Sequence, residues 1–246
     1  MEVSNTYYEN APIILSIIQY RYDKIEKFDI NLVKELAKKF KSKYPIVNER
    51  FVQSIVVNND NNETNVSLED KQFDGIQVMS KNRKEYFTIT ETKFTYQSHE
   101  KYEGWENFIT NAIEFWDDFS TSFDIKELNG VSLRYVNKIK LPLDIRDITK
   151  YFTTYLKDDK NTFSIGNFQF RFSSFDKENN FRINISHLLD TPVEEFVPYI
   201  FDIDVLHNNK VENTKEITLG LFEKIRTKKN QIFNDGITVE TKKLIH

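Results

Sequence analysis

Arg134, Arg171 and Arg182, together with Lys138 and the pair Asp202-x-Asp204, are the residues of this chain whose types and spacing could do chemistry. Each sits in a segment that alternates apolar and polar residues. Side chains along a strand point to opposite faces in turn, so alternation gathers these six onto one surface. A guanidinium matches the geometry of phosphate and carboxylate oxygens, which makes the arginines candidate grips for an anionic ligand. Two carboxylates on one strand face could share a hard cation such as magnesium, although an oxygen-rich site usually draws on further acidic ligands. A third reading is structural: one face of an antiparallel sheet is commonly solvated, and opposite charges across strands contribute only about 0.2–1 kcal/mol per pair.

Other chemistry is thinner. His99, His187, His207 and His246 lack metal-ligand spacing, and His187 directly follows Ser186, so the two side chains of that strand should point to opposite faces. The sequence carries no glycine-rich phosphate loop, nucleophile elbow, zinc motif or dinucleotide fingerprint, and no cofactor is expected. Glu100, Glu103 and Glu106 precede or open a helical pattern and suit its N-terminus electrostatically. Lys224, Arg226, Lys228 and Lys229 read as the solvated side of a closing helix.

These residues need a scaffold. Residues 12–22, rich in isoleucine, read as a mostly buried strand. Asp29 or Asn31 can cap a following helix with Leu32, Val33, Leu36, Ala37 and Phe40 along one stripe. Strands are expected at 50–57, 75–80 and 85–96, separated by the polar stretches NNDNNETN and KNRK, before a helix marked by Trp105, Phe108, Ile109, Ala112, Trp116 and Phe119. The order then repeats: a strand at 131–141, a helix capped by Asp144 or Asp147 with Ile148, Phe152, Tyr155 and Leu156 inward, strands at 163–175, 181–188 and 197–207, and a long helix from Ile217 to Phe233. The expected fold is therefore α+β: two tandem strand-helix-three-strand-helix units, residues 1–124 and 125–246, forming antiparallel sheet of about eight strands with helices on one face. Phe168, Phe170 and Phe172 fall opposite Arg171, which makes them core rather than a base-stacking platform.

Composition sets the bounds. The 246 residues can bury a sizeable core, and 21 Phe and 12 Tyr offset an apolar fraction of 39%. The absence of cysteine excludes disulfides and thiolate chemistry and fits a reducing cytosol. The first ten residues lack the basic region of a signal peptide, and no apolar run approaches a membrane span, so a cytoplasmic protein with no membrane contact is expected. A formal net charge of −4 counts mildly against a dedicated nucleic-acid binder.

Four stretches, NAPIILSIIQYRYD, NGVSLRYVNKIKLP, FDIDVLH and LFEKIRTKKNQIFNDGIT, are similar to a sporadically distributed family of uncharacterised bacterial proteins across nearly the whole chain. Arg134, Tyr135, Asn137 and the Asp202-x-Asp204 pair match the pattern of that family, and Lys138 stands where arginine is common. The resemblance implies no established reaction and carries over no catalytic residue. Its patchy distribution looks like that of horizontally exchanged genes, which raises the expectation of a phage-defence or toxin-antitoxin-like role.

The expected function is a non-catalytic binding or adaptor protein that uses the polar sheet face to meet a partner protein or an anionic ligand. The alternatives are a nucleic-acid or nucleotide binder working through the same basic face, and a magnesium-dependent hydrolase centred on Asp202 and Asp204. Ile200 and Val136 interrupt the polar face, which leaves a homodimer open.

Overall fold

A computed structural model describes residues 8, 10–60, 63–145, 147–155 and 166–246. The isoleucine-rich opening forms β1 (Ile13–Arg21), in which Ser16, Ile18 and Tyr20 are buried and the intervening residues are half-buried. Helix α1 (Ile30–Lys39) starts where Asp29 accepts hydrogen bonds from the amides of Asn31 and Leu32, and Val33, Leu36 and Ala37 form its buried stripe. Six strands follow: β2 (Ile46–Val52), β3 (Ile55–Asp60), β4 (Glu63–Leu68), β5 (Gln72–Met79), β6 (Glu85–Ile89) and β7 (Lys93–Ser98). Helix α2 (Trp105–Ser122) buries Phe108, Ala112, Phe115, Trp116 and Phe119 on one side.

The second half begins with β8 (Glu127–Leu128) and β9 (Gly130–Leu141), continues through a short 3-10 turn at Ile148–Lys150, and meanders along β10 (Phe168–Asp176), β11 (Phe181–Leu189) and β12 (Val197–His207). After β13 (Val211–Glu212) come α3 (Lys215–Gly236) and α4 (Val239–Leu244).

The fold is α+β, and nine of the strands make one antiparallel sheet in the order β10-β11-β12-β9-β1-β7-β6-β5-β2. Its centre is the pairing of β1 with β9, the first long strand of each half of the chain. Each of these also pairs with the strand that ends its own meander, β1 with β7 and β9 with β12. Two small two-stranded sheets, β13-β8 and β3-β4, complete the β structure.

The helices cover one face. Trp116 of α2 stacks on Tyr20 of β1 at 4.1 Å between ring centroids, and Phe222 of α3 meets the same tyrosine edge-on at 5.2 Å. Phe40 of α1 stacks on Phe115 of α2, and Phe233 of α3 stacks on Phe201 of β12. Tyr20 is therefore clamped between helices from both halves. Aromatic rings remove large areas from water and gain further from offset and edge-on contact, which is how a chain of modest apolar fraction holds this core.

Two expectations are corrected. NNDNNETN is not a plain loop: Asn58–Asp60 and Glu63–Asn65 belong to the β3-β4 hairpin, where Asn58 pairs with Asn65 and Asn59 with Thr64. Among the described residues of 144–155 no α-helix forms, and Asp147 caps only the 3-10 turn. Phe152 instead forms a bridge with Ile237 and stacks on Tyr199 at 3.7 Å, and that pull into the core takes the segment off a helical path. Leu156 and the expected strand start at 163–165 lie outside the described residues. The strand-helix-three-strand-helix order is thus kept in neither half: six strands rather than three separate α1 from α2, because the expected strands at 50–57 and 85–96 each divide and β4 joins them, and only a 3-10 turn is described between β9 and β10.

Candidate functional site: the open face of the sheet and a buried lysine

Cross-strand register puts Arg134, Lys138, Arg171, Arg182, Asp202 and Asp204 on the face opposite the helices. One row runs Ser173, Asn184, Asp204, Arg134, Ile17 and Gln97 across β10, β11, β12, β9, β1 and β7. The neighbouring row runs Arg171, Ser186, Asp202, Val136 and Leu15. The matching positions on the helix face are Tyr135, Ile203 and Ile185, all buried. Asn137, which falls on the apolar side, is accommodated because its side-chain amide donates to the Phe201 carbonyl at 2.9 Å.

The six residues are not equivalent. Arg134 faces Asp204 across the ladder but reaches diagonally to Asp202, donating from Nε to Oδ1 at 2.8 Å and from Nη2 to Oδ2 at 2.7 Å. This two-pronged bond holds the Arg134 guanidinium pKa above its ordinary value. The Asp202 side chain is only 14% exposed. Asp204 is raised by burial, a shift softened by the Asn184 amide, which donates to it at 3.2 Å, and by Arg134. Asn184 accepts in turn from Ser173 Oγ at 2.8 Å and Arg182 Nε at 3.3 Å. The result is a connected polar ladder, with both oxygens of Asp202 committed to Arg134.

Arg171 and Arg182 lie exposed on β10 and β11 and have no acidic ion-pair partner among the described residues. Lys138 and Lys140 lie over the Phe196 ring, at 5.5 and 4.9 Å from its centroid. With strands about 4.8 Å apart, Arg171 and Arg134 are separated by roughly 14 Å of sheet. The three arginines therefore do not converge on one small anion, as the sequence reading allowed, but spread basic charge over a broad face. Around them lie the half-buried side chains of Leu15, Ile17, Val136, Leu188, Ile200 and Leu206.

A residue read from the sequence as solvated turns out to be buried. Lys229 of α3 is 6% exposed, and its Nζ sits 3.7 Å from the Tyr135 ring centroid. It follows Phe222 and Ile225 and precedes Phe233 on the buried stripe of α3, a spacing that could have disclosed it. Burial, and then the Arg226 charge, push its pKa well below that of an ordinary lysine. Its neighbour Lys228 also departs from a free solvated role, pairing with Asp176 at 2.7 Å.

Lys229 lines a cavity of about 170 Å³ between α3, the start of α2 and the N-terminal end of β1. Tyr8, Tyr102, Trp105, Tyr135 and Arg226 also line it. Ser186 and His187 do point to opposite faces, with His187 packed on the helix side against Phe170 and Phe201. Among the described residues, no group of three or more His, Asp or Glu gathers as a metal site, and no helix is long and apolar enough to cross a membrane. No protein-family model, curated protein or solved structure matches this chain.

Proposed function

We propose that this chain is a cytoplasmic, non-catalytic binding protein whose open sheet face receives an acidic surface on a partner protein. The observation that supports this reading is the composition of that face between β9 and β10. Arg134, Lys138, Lys140, Arg171 and Arg182 outnumber Asp202 and Asp204, on a chain whose formal net charge is −4. Half-buried aliphatic side chains are interleaved with these charges, the mixture expected where an apolar contact is ringed by charged groups that steer and orient a partner. The bond between Arg134 and Asp202 would then serve as a fixed centre, because a guanidinium already held in place loses little freedom on binding.

A phage-defence or toxin-antitoxin-like setting would supply such a partner from an adjacent gene. The test is to co-express the chain with the products of its neighbouring genes and to map any complex by hydrogen exchange. Protection on β9, β11 and β12, with loss of the complex in Arg171→Glu/Arg182→Glu, is the expected outcome. A complex whose protection lies wholly on the helix side would overturn the reading. So would nucleotide or nucleic-acid turnover that disappears in Asp202→Asn.

The exposure of Arg171 and Arg182 also favours a second reading, a nucleotide or nucleic-acid binder on the same face. It predicts binding of a labelled oligonucleotide that weakens steeply with salt and, in the Arg171→Ala/Arg182→Ala variant, weakens for every sequence alike.

A further inference from the structure

We infer that the cavity at Lys229 binds a small organic monoanion: a carboxylate carried on one aromatic ring or on a short apolar body. This site lies on the helix side of the sheet and is independent of the open face. Its walls are mainly aromatic and apolar, with Tyr8, Pro12, Ile13, Tyr102, Trp105 and Phe233, and the side chains of Asn137, Asn230 and Asn234 interrupt them. At about 170 Å³ it has room for one ring, judged against apolar cavities of about 150 Å³ that take up benzene.

The charges in and around the cavity select the sign of the ligand. Arg226 lies over the Trp105 ring at 5.4 Å and donates from Nη1 to Glu223 Oε2 at 3.0 Å. The second oxygen of Glu223 accepts from the Trp105 indole. That pair is internally neutral. Lys229 is different: among the described residues no carboxylate lies within ion-pair distance of its ammonium, and only the face of Tyr135 offsets its burial. An unpaired buried cation is costly, and one negative charge delivered by a ligand removes the mismatch. The start of α2 adds to the same potential. Gly104 and Trp105 line the cavity, and Gly104 offers the first turn of this 18-residue helix no side-chain cap, so amide groups at its positive end are left for another acceptor.

Single charge also follows. The two cations that line the cavity and the Glu223 carboxylate bound to Arg226 sum to +1 when all are ionised, which a monocarboxylate balances and a phosphate dianion exceeds, and the exposed Glu106, whose charge reaches Tyr102, disfavours a dianion further. The tyrosines that surround the site, Tyr8, Tyr102 and Tyr135, are all held protonated by burial, which leaves Lys229 as the group whose proton responds to occupancy. With its pKa lowered in the empty site, Lys229 takes up a proton when the carboxylate arrives, at any pH between the depressed value and the restored one.

The experiment is isothermal titration of the full chain at pH 8 with phenylacetate, 4-hydroxyphenylacetate and hexanoate. Phenylacetamide serves as the neutral control, and two buffers of different ionisation enthalpy report proton uptake. At least one carboxylate should bind once per chain with uptake of up to one proton, and phenylacetamide should bind about ten-fold more weakly or worse. Lys229→Met should keep the fold and lose about ten-fold or more in carboxylate affinity. Three results overturn the inference: no binding of any of the three carboxylates at about 10 mM, equal binding of the amide, or unchanged affinity in a folded Lys229→Met. The wild-type titrations decide the matter even if that variant does not fold.

Discussion

His187 Nδ1 lies 2.8 Å from the hydroxyl of Tyr199, and the two groups share a site from which water is excluded. The imidazole is stacked between Phe170 and Phe201, and its burial lowers its pKa to about 4. The unfolded chain binds a proton on this ring below about pH 6.5, whereas the folded chain resists protonation until about pH 4. The stability that neutral His187 supplies is therefore complete above pH 6.5, drains away as pH falls towards 4, and changes no further below that. The loss is on the order of 3 kcal/mol. His207, lowered by burial and then by Arg21 and Lys224, adds a loss of the same sign. Urea denaturation at pH 7.5 and 4.5 should show the loss in the wild type and a smaller one in His187→Phe. An NMR titration that finds the His187 ring protonating near pH 6.5 would refute this account.

Arg134→Ala strips both hydrogen bonds from an Asp202 side chain that is 14% exposed, so it should destabilise by about 1 to 2 kcal/mol. The Arg134 side chain is itself 43% exposed, and solvent screening keeps the figure below that of a fully buried pair. Arg134→Met with Asp202→Leu should recover most of the loss, because a matched apolar pair leaves no charge unpaired. A double-mutant cycle in urea measures the difference, and a coupling below about 0.5 kcal/mol would mean that the pair is ornamental.

Gly130 and Gly104 both have positive φ, +145° and +113°, but only one of them is crowded. A Cβ on Gly130 would drive into the His207 carbonyl oxygen and press on the Arg21 guanidinium, whereas one on Gly104 would meet nothing within 4 Å. Bare Cα at 130 is what lets Arg21 of β1 reach across β9 and donate to the His207 carbonyl at 2.9 Å and to Asn208 Oδ1 at 2.6 Å. Gly130→Ala should therefore cost about 3 kcal/mol or more, and Gly104→Ala only the backbone strain of about 1 to 2 kcal/mol. Thermal unfolding of the two variants side by side checks the ranking.

Alternation made much of the sheet readable in advance. β12 runs over Val197–His207 as the pattern of Val197, Tyr199, Phe201, Ile203 and Val205 requires, and of the two caps open to α1, Asp29 and Asn31, it is Asp29 that serves. The same alternation put the six charged residues on one face. It could not show which of them were already spoken for, because the diagonal reach of Arg134 to Asp202 depends on side-chain length and on strand twist. The polar tract at 58–65 looked like a turn because Asn and Asp favour turns, yet backbone pairing in a hairpin needs no apolar side chains. Spacing alone puts Phe152 in a helix, but a ring partner far along the chain decides its position. The charge of its sequence neighbours suggests a solvated Lys229, whereas counting from Phe222 in steps of three and four puts it inward.

The place of β1 in the middle of the sheet bears on how the molecule is made. As the chain leaves the ribosome, β1 emerges ahead of both strands that flank it, and the edge that meets β9 stays bare until residues 130–141 follow. Between the completion of β1 and the arrival of β9 the nascent protein thus carries an unsatisfied edge on an isoleucine-rich strand, the kind of surface that recruits neighbouring chains. A chain truncated near residue 124 should aggregate for that reason, and chaperone dependence should be concentrated in the interval before β9 is delivered.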